Sequence, residues 1–375
     1  MRIKMTDAGK KLKLLVEFGA LISKEPRLDK LLSLIAEQVG KVLNCDRCGV
    51  FLIDKKTKQL WSTVTIGVRD IKIRIPLGKG IMGKVASVGK PINIKNAYTD
   101  RRFTVDIDKV LGYRTTSYMV VPLKDSKGEI LGVFQVSNKL NAKHFTKEDE
   151  GLLSLLGTVA SNTIENAKLY ENLRSSQLET IYRLAVTAEY RDQQDTPRHL
   201  RTISTLSYML AIAAGYSKEY AENLRYASPL HDIGKVGLSD SVLLKPGKLT
   251  KSEQERMKKH PIYGGKILVN AKSDLLKLAY RITLYHHERY DGSGYPYGLK
   301  KSKIPIEARI LAIVDVFDAL CMSRVYKSAW GVKKSYDYIV KNSGKLFDPK
   351  LVAAFKKIFP QIEELYTLGD DEFKP

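Results

Sequence analysis

The sequence predicts a multidomain chain: an α+β domain with an antiparallel sheet, a long connecting helix, and a second domain that is all-α and binds metal. Three observations carry this prediction. Short apolar runs alternate with turn-rich segments through the first third of the chain; from about Lys147 to Arg191 helix breakers almost vanish; and five of the six histidines fall between His199 and His287 in company with carboxylates. A length of 375 residues leaves room for two or three domains, since about 100 to 200 residues make one.

The first domain is expected over residues 1–165. An opening helix runs to about Val42, followed by strands near Gly49 to Asp54 and Leu60 to Ile66. Further strands at Met119 to Leu123 and Ile130 to Val136 are separated by Asp125-Ser126-Lys127-Gly128, which marks a hairpin. Cys45-Asp46-Arg47-Cys48 has the spacing of a redox pair or half a zinc site. No second pair completes a ribbon, and Cys48 opens an apolar run that reads as a strand, so buried free thiols are expected. Gly78-Lys79-Gly80-Ile81-Met82-Gly83 spells a dinucleotide fingerprint. That fingerprint requires a βαβ unit, whereas the surroundings read as antiparallel, so these glycines are assigned to a turn and a close helix contact. Lys139 at a strand end and Asp149 at the next helix start are placed to form a partly buried pair.

Pro76 to Gly83, Gly89-Lys90-Pro91, Asp100-Arg101-Arg102-Phe103 and Leu131-Gly132-Val133 sit where the GAF family has them, so this region resembles a GAF domain. Asn138-Lys139, Phe145 and Asp149-Glu150 match the Asn-Lys-Phe-Asp-Glu pattern of GAF domains that bind cyclic nucleotides. The resemblance implies a sensor with a small-molecule ligand whose identity is not legible.

The connector is expected at residues 166–190, within a helical stretch that starts near Lys147. Leu152, Leu156, Val159, Tyr170, Leu173, Ile181 and Leu184 recur at helical spacing. A lone helix of that length cannot bury its stripe on one small domain, so a parallel homodimer is expected.

In the second domain, residues 191–375, the ligand types arrive as His199, His231-Asp232, His260, His286-His287 and Asp315. Imidazole and carboxylate together suit iron, manganese, zinc or cobalt. Seven such groups exceed what one tetrahedral ion takes, which argues for at least two ions sharing a bridging carboxylate, a pair suited to activating water against a phosphate ester. His231 and Asp232 point in different directions around a helix, so Asp232 is assigned as the bridge. Lys235, one turn later, is assigned to phosphate stabilisation or to the leaving oxygen.

Leu230-His231-Asp232-Ile233-Gly234-Lys235, Lys258-Lys259-His260-Pro261, and the run from His286 through Gly292-Ser293-Gly294-Tyr295-Pro296 resemble the HD-GYP family of bacterial cyclic di-GMP phosphodiesterases, within the HD phosphohydrolases. Ala308-Arg309-Ile310 leading to Asp315, Arg324-Val325-Tyr326-Lys327 and Phe347-Asp348-Pro349 extend the likeness, which runs from about Thr180 to about Phe359. It implies that cyclic di-GMP is opened to linear pGpG, and on to GMP, by a hydroxide bridging two or three divalent ions, iron or manganese. One ion takes His231, Asp232 and Asp315; the second takes Asp232, His260, His286 and His287; His199 serves the first or a third. Arg324 and Lys327 hold substrate phosphates, and Gly294 and Tyr295 suit a guanine base or a close backbone approach. Where the family has Glu-Thr-Gly-x-His this chain has Asp195-Thr196-Pro197-Arg198-His199. The shorter carboxylate of Asp195 puts a third ion in doubt, and Val325 stands where proline is usual. The alternatives are a non-catalytic signalling and protein-interaction module and a metal phosphohydrolase acting on another nucleotide.

The formal charge of +22 is spread along the chain without interleaved aromatics. A nucleic acid polymer is therefore not expected, and a basic surface would help to gather the anionic dinucleotide that the resemblance implies. A Lys-rich and Glu-rich surface is also a heat-adapted signature. No run of about 18 apolar residues appears and the first residues lack the apolar core of a signal peptide, so no membrane association and a soluble, cytoplasmic protein are expected.

Overall fold

The computed structural model describes residues 7–62, 73–103, 108–109, 112–190, 196–322 and 330–368. It divides into two compact units, Met1–Ser175 and Ser176–Pro375. Asp195, Arg324, Val325 and Lys327, and the end of the strand expected to reach Ile66, lie outside the described residues.

The first unit opens with two helices, α1 (Asp7–Ile22) and α2 (Leu28–Leu43), where one was expected. Pro26 explains the break: it lacks a donor for the helical ladder and disfavours helical backbone at Glu25 before it. Six strands follow, β1 (Cys45–Asp54), β2 (Gln59–Ser62), β3 (Ile73–Pro76), β4 (Ile92–Ile94), β5 (Tyr118–Lys124) and β6 (Ile130–Lys139), with α3 (Gly80–Val88) between β3 and β4. They form one sheet in the order β3-β2-β1-β6-β5-β4, every pairing antiparallel.

The central strands read as near-continuous apolar runs because both faces of the sheet are covered. Cys48, Val50, Leu52, Phe134 and Val136 pack with α1, α2 and Leu153, Leu156, Ala160 and Ile164. Phe51, Leu60, Tyr118, Val120 and Val133 pack with Ile81, Met82 and Val85 of α3 on the other face. Cys45 and Cys48 are buried free thiols, as expected. The glycines of the apparent fingerprint serve local geometry: Gly78 and Gly80 have φ of +82° and +63°, and a Cβ on Gly83 would come 2.6 Å from the Pro76 carbonyl oxygen.

Helix α4 (Lys147–Glu189) is one 43-residue helix. Thr146 and Asp149 cap its start reciprocally: Asp149 N donates to Thr146 Oγ1 at 3.1 Å and Thr146 N donates to Asp149 Oδ2 at 2.8 Å. The other Asp149 oxygen accepts from Lys139 Nζ at 2.8 Å, and that ammonium also donates to the Leu43 carbonyl at 2.9 Å. The pair anticipated from sequence thus ties the end of β6 to the start of α4.

The second unit is helical. After α4 come α5 (Thr196–Ala213), α6 (Lys218–Ala227), a 3-10 helix (Ser228–Gly237), α7 (Asp240–Leu243), α8 (Lys251–Met257), α9 (His260–Leu268), α10 (Asp274–Tyr285), α11 (Ile306–Cys321), α12 (Val332–Lys341) and α13 (Pro349–Leu368). One core joins them, with Leu200, Leu206, Leu224, Ile282, Leu311, Phe317 and Phe355 fully buried.

Candidate metal centre

The 3-10 helix, not an α-helix, delivers His231 and Asp232. Asp232 has a non-helical φ/ψ of −104° and 15°, a kink within that helix. A 3-10 turn takes about three residues, so residues three apart eclipse. Lys235 therefore stands over Asp232, its Nζ 2.8 Å from Asp232 Oδ2, and is buried. Two glycines let this segment sit against its neighbours: a Cβ on Gly234 would run into the His260 carbonyl, and one on Gly264 into the Thr283 side chain. Thr283 Oγ1 in turn donates to the Leu230 carbonyl at 2.9 Å.

The histidines are oriented by backbone carbonyls. His260 Nδ1 faces the Met257 oxygen at 2.8 Å, His231 Nδ1 the Ser228 oxygen at 3.1 Å, and His286 Nδ1 the Thr283 oxygen at 3.0 Å. Each bond places the proton on Nδ1 and leaves Nε2 as the available ligand atom. Those nitrogens converge on Asp232, with His260 Nε2 at 3.1 Å and His286 Nε2 at 3.4 Å from Oδ1, and His231 Nε2 at 3.5 Å from Oδ2. One ligand atom each from Asp232, His260, His286 and His287 lies within 4.8 Å of the others. This is the set expected for one ion.

A second group gathers beside it. His199 Nδ1 is held by Asp318 Oδ2 at 2.5 Å, and the Tyr366 hydroxyl donates to the other Asp318 oxygen at 2.5 Å. His199 Nε2 and His231 Nε2 each lie 4.0 Å from Asp315 Oδ1. Both nitrogens are buried without a hydrogen-bond partner. Sequence reasoning missed one member of this group: Glu189, the last residue of α4, fully buried, with Oε1 3.8 Å from His231 Nδ1. Glu189, His199 and His231 offer ligand atoms within 4.8 Å of one another. A buried carboxylate near the end of a long polar helix was the available signal.

Burial and the neighbouring charges pull the protonation states of this cluster in opposite directions. Burial pushes the His231 imidazole down to about 4, keeping it in the neutral ligand form. Burial, with His286 and His260 beside it, holds His287 well below the usual range. Burial pushes the Glu189 carboxyl up to about 8 against the pull of His199. Burial resists ionisation of Asp232 too, but Lys235, His231 and His260 outweigh it and hold the carboxyl well below its ordinary value. Burial likewise works against a charged His199, yet the Asp318 bond holds that imidazole up at about 9. Buried carboxylates and unpartnered imidazole nitrogens at this spacing fit divalent ions.

The loop after His287 is braced by another residue that sequence reasoning passed over. Buried Glu288 accepts from Tyr297 N at 2.8 Å and Leu299 N at 2.9 Å. A Cβ on Gly294 would approach the His287 carbonyl oxygen to 2.5 Å, so the close approach expected there is made by the loop's own backbone. The Tyr295 ring stacks on His287 with centroids 4.6 Å apart.

Residues 169–351 match the HD domain family, and residues 27–164 the GAF domain family. The chain is 45% identical over 187 residues to the cyclic di-GMP phosphodiesterase response regulator RpfG of Xanthomonas campestris pv. campestris, covering 50% of this chain and 49% of that protein. It is 42% identical over 203 residues to a cyclic di-GMP phosphodiesterase of Thermotoga maritima, covering 54% of each. A 3'3'-cGAMP-specific phosphodiesterase 2 of Vibrio cholerae is 41% identical over 204 residues, covering 54% of this chain and 39% of that protein. The matched region thus spans about half of these relatives or less.

Proposed function

Because the chain carries a GAF domain followed by an HD domain, we propose that it is a sensor-regulated, metal-dependent phosphodiesterase that opens cyclic di-GMP to linear pGpG. The observation that carries this reading is the convergence of Asp232, His260, His286 and His287 within 4.8 Å, flanked by His199, His231 and Asp315. In this reading Asp232 would be shared by two ions, one also held by His231 and Asp315 and the other by His260, His286 and His287, with His199 serving the first or a third ion and iron or manganese as the metals. Ions held there supply Lewis acidity and a water activated at neutral pH.

The chain's own groups supply the rest. Lys235 stands against Asp232 at 2.8 Å and is placed to steady a phosphate oxygen or the leaving oxygen. Tyr295 and Gly294 edge the loop beside His287 and offer a ring face to a guanine. Arg324 and Lys327 are proposed to hold the phosphates. The GAF domain is read as a small-molecule sensor, the chain as a cytoplasmic homodimer. No helix among the described residues is long and apolar enough to cross a membrane.

The test is hydrolysis of cyclic di-GMP and of 3'3'-cGAMP by protein purified anaerobically, then stripped with a chelator and reloaded with iron(II) or manganese(II). Hydrolysis of cyclic di-GMP that disappears on stripping and returns on reloading is expected. Faster turnover of 3'3'-cGAMP would reassign the substrate. Inactivity of metal-loaded protein toward both would favour a signalling module.

A further inference from the structure

A cavity of about 220 Å³ lies on the α3 side of the first unit's sheet, bounded by Arg47, Phe51, Lys79, Phe103, Tyr118 and Gln135 among others. Its chemistry is lopsided. Phe51, Ile75, Ile81, Met82, Phe103 and Tyr118 give it an apolar and aromatic body, with the Phe103 and Tyr118 rings edge to face at 5.5 Å. Arg47, Arg74 and Lys79 are its cations. The Arg47 guanidinium lies over the Tyr113 ring, its Cζ 3.5 Å from the centroid, a contact that leaves N–H groups to donate elsewhere. Neither Arg47 nor Lys79 has a carboxylate partner among the described residues, whereas Arg74 reaches Asp54 at 3.5 Å.

The one carboxylate among the described wall residues, Asp108, is outnumbered by these cations. Asp108 accepts from Thr115 N and Oγ1, both at 2.8 Å, and from the Tyr98 hydroxyl at 3.1 Å, so its oxygens are already engaged. Gly80, Ile81 and Met82 add the first turn of α3, a nine-residue helix with no side-chain cap. Its N–H groups favour an anion.

Gln135 points independently to a ligand. It sits in the middle of β6, is only 7% exposed, lines the cavity, and its side-chain amide has no hydrogen-bond partner among the described residues. Across the ladder it faces Gly49. A Cβ on Gly49 would come 2.8 Å from the Phe51 ring and 3.1 Å from Gln135 Oε1, so the missing side chain keeps the cavity floor open. The Gln135 amide opens on the cavity and not into the packed core, so it is placed to bond a ligand there.

We propose that this cavity binds a small aromatic anion, its charge held by Arg47, Lys79 and the start of α3, its ring among Phe51, Phe103 and Tyr118, and a polar group at its far end bonded by Gln135. The anion can be a carboxylate or a phosphate monoester, since the same donors serve both. The proposal rests on the reading of the first domain as a small-molecule sensor and names its ligand class; none of these residues belongs to the metal centre, and the test does not use hydrolysis.

Calorimetric titration of the full-length protein with 4-hydroxybenzoate, phenyl phosphate and neutral 4-hydroxybenzamide examines this directly. Saturable binding of one or both anions at one site per chain is expected, with the amide at least about tenfold weaker, the factor that corresponds to about 1.4 kcal/mol of charge-assisted contact. Arg47→Met should weaken the anion by about tenfold, and Gln135→Leu should weaken 4-hydroxybenzoate more than phenyl phosphate, which has no group for the amide. Thermal unfolding of the ligand-free variants checks that they fold, and either variant alone suffices if the other does not. Equal binding of the neutral amide, unchanged affinity in a folded variant, or no saturable binding of either anion at millimolar concentration would overturn the proposal.

Discussion

At the scale of single residues, Glu189 changes the account of the metal centre most. The seven groups recognisable from sequence are spread from His199 to Asp315 and are picked out by residue type, whereas Glu189 is one carboxylate among several on α4 and reaches the cluster only because α4 ends there. It is isosteric with glutamine, so Glu189→Gln removes the carboxylate that an ion would bind while keeping the side chain's shape. That variant is expected to lose the ion nearest His199 and His231 and to keep the one at His260, His286 and His287. Metal analysis of the purified protein should show the count per chain fall by about one, as removal of one ligand carboxylate predicts; an unchanged count would make Glu189 a structural residue. Asp195, one methylene shorter than the family's glutamate, lies outside the described residues. Its variants still bear on whether a third ion binds.

Among the elements, α4 is where the physical argument has most to say. Its start is fixed by Asp149, which caps the helix and pairs with Lys139; both side chains of the pair are 15% exposed. Partial burial opposes ionisation of Asp149, but the Lys139 and Thr146 bonds outweigh it and hold the carboxyl below its ordinary value. A carboxyl depressed in the folded state stabilises above its unfolded pKa and loses that contribution as pH falls through the folded pKa. Asp149→Asn should therefore destabilise the protein by about 1.5–3 kcal/mol at pH 7, the range for hydrogen bonds to charged groups. The gap from wild type in urea midpoint should narrow as pH falls through about 4 and below. A pH-independent gap would show that the charge is immaterial.

Further along α4, Leu155, Leu169, Leu173 and Leu184 are 49%, 59%, 58% and 55% exposed, and their spacing puts them within an arc of about 60°. An apolar stripe of that kind suits a second copy of the helix. Light scattering on the full chain should report a dimer that becomes a monomer in the double variant Leu169→Glu, Leu173→Glu. A dimer that survives both charges would place the interface elsewhere.

Across the whole molecule, the sequence exposes what is periodic or chemically rare, while the close approaches between segments emerge only with the fold. Four strands and the long helix were legible because apolar periodicity and turn residues mark them. The break at Pro26 was readable in principle, but continuous apolar spacing on either side hid it. The group that gathers within 4.8 Å, Asp232, His260, His286 and His287, could be named in advance because the resemblance to the HD-GYP family implies it; the scarcity of histidine elsewhere drew attention only to the histidines. The supports of that set could not be named. Gly234 and Gly264 matter because the 3-10 helix presses against α9, and Glu288 matters because it bonds backbone nine and eleven residues ahead; neither relation has a local pattern.

The central claim is that one carboxylate, Asp232, organises a two-metal hydrolytic centre, its oxygens facing His260 and His286 on one side and His231 on the other. The most direct measurement is metal content together with cyclic di-GMP turnover in Asp232→Ala, compared with the wild-type chain purified in the same way. Loss of both bound ions and of hydrolysis is predicted, because a shared ligand cannot be removed from one ion alone. Two ions per chain with normal turnover in that variant would contradict the account.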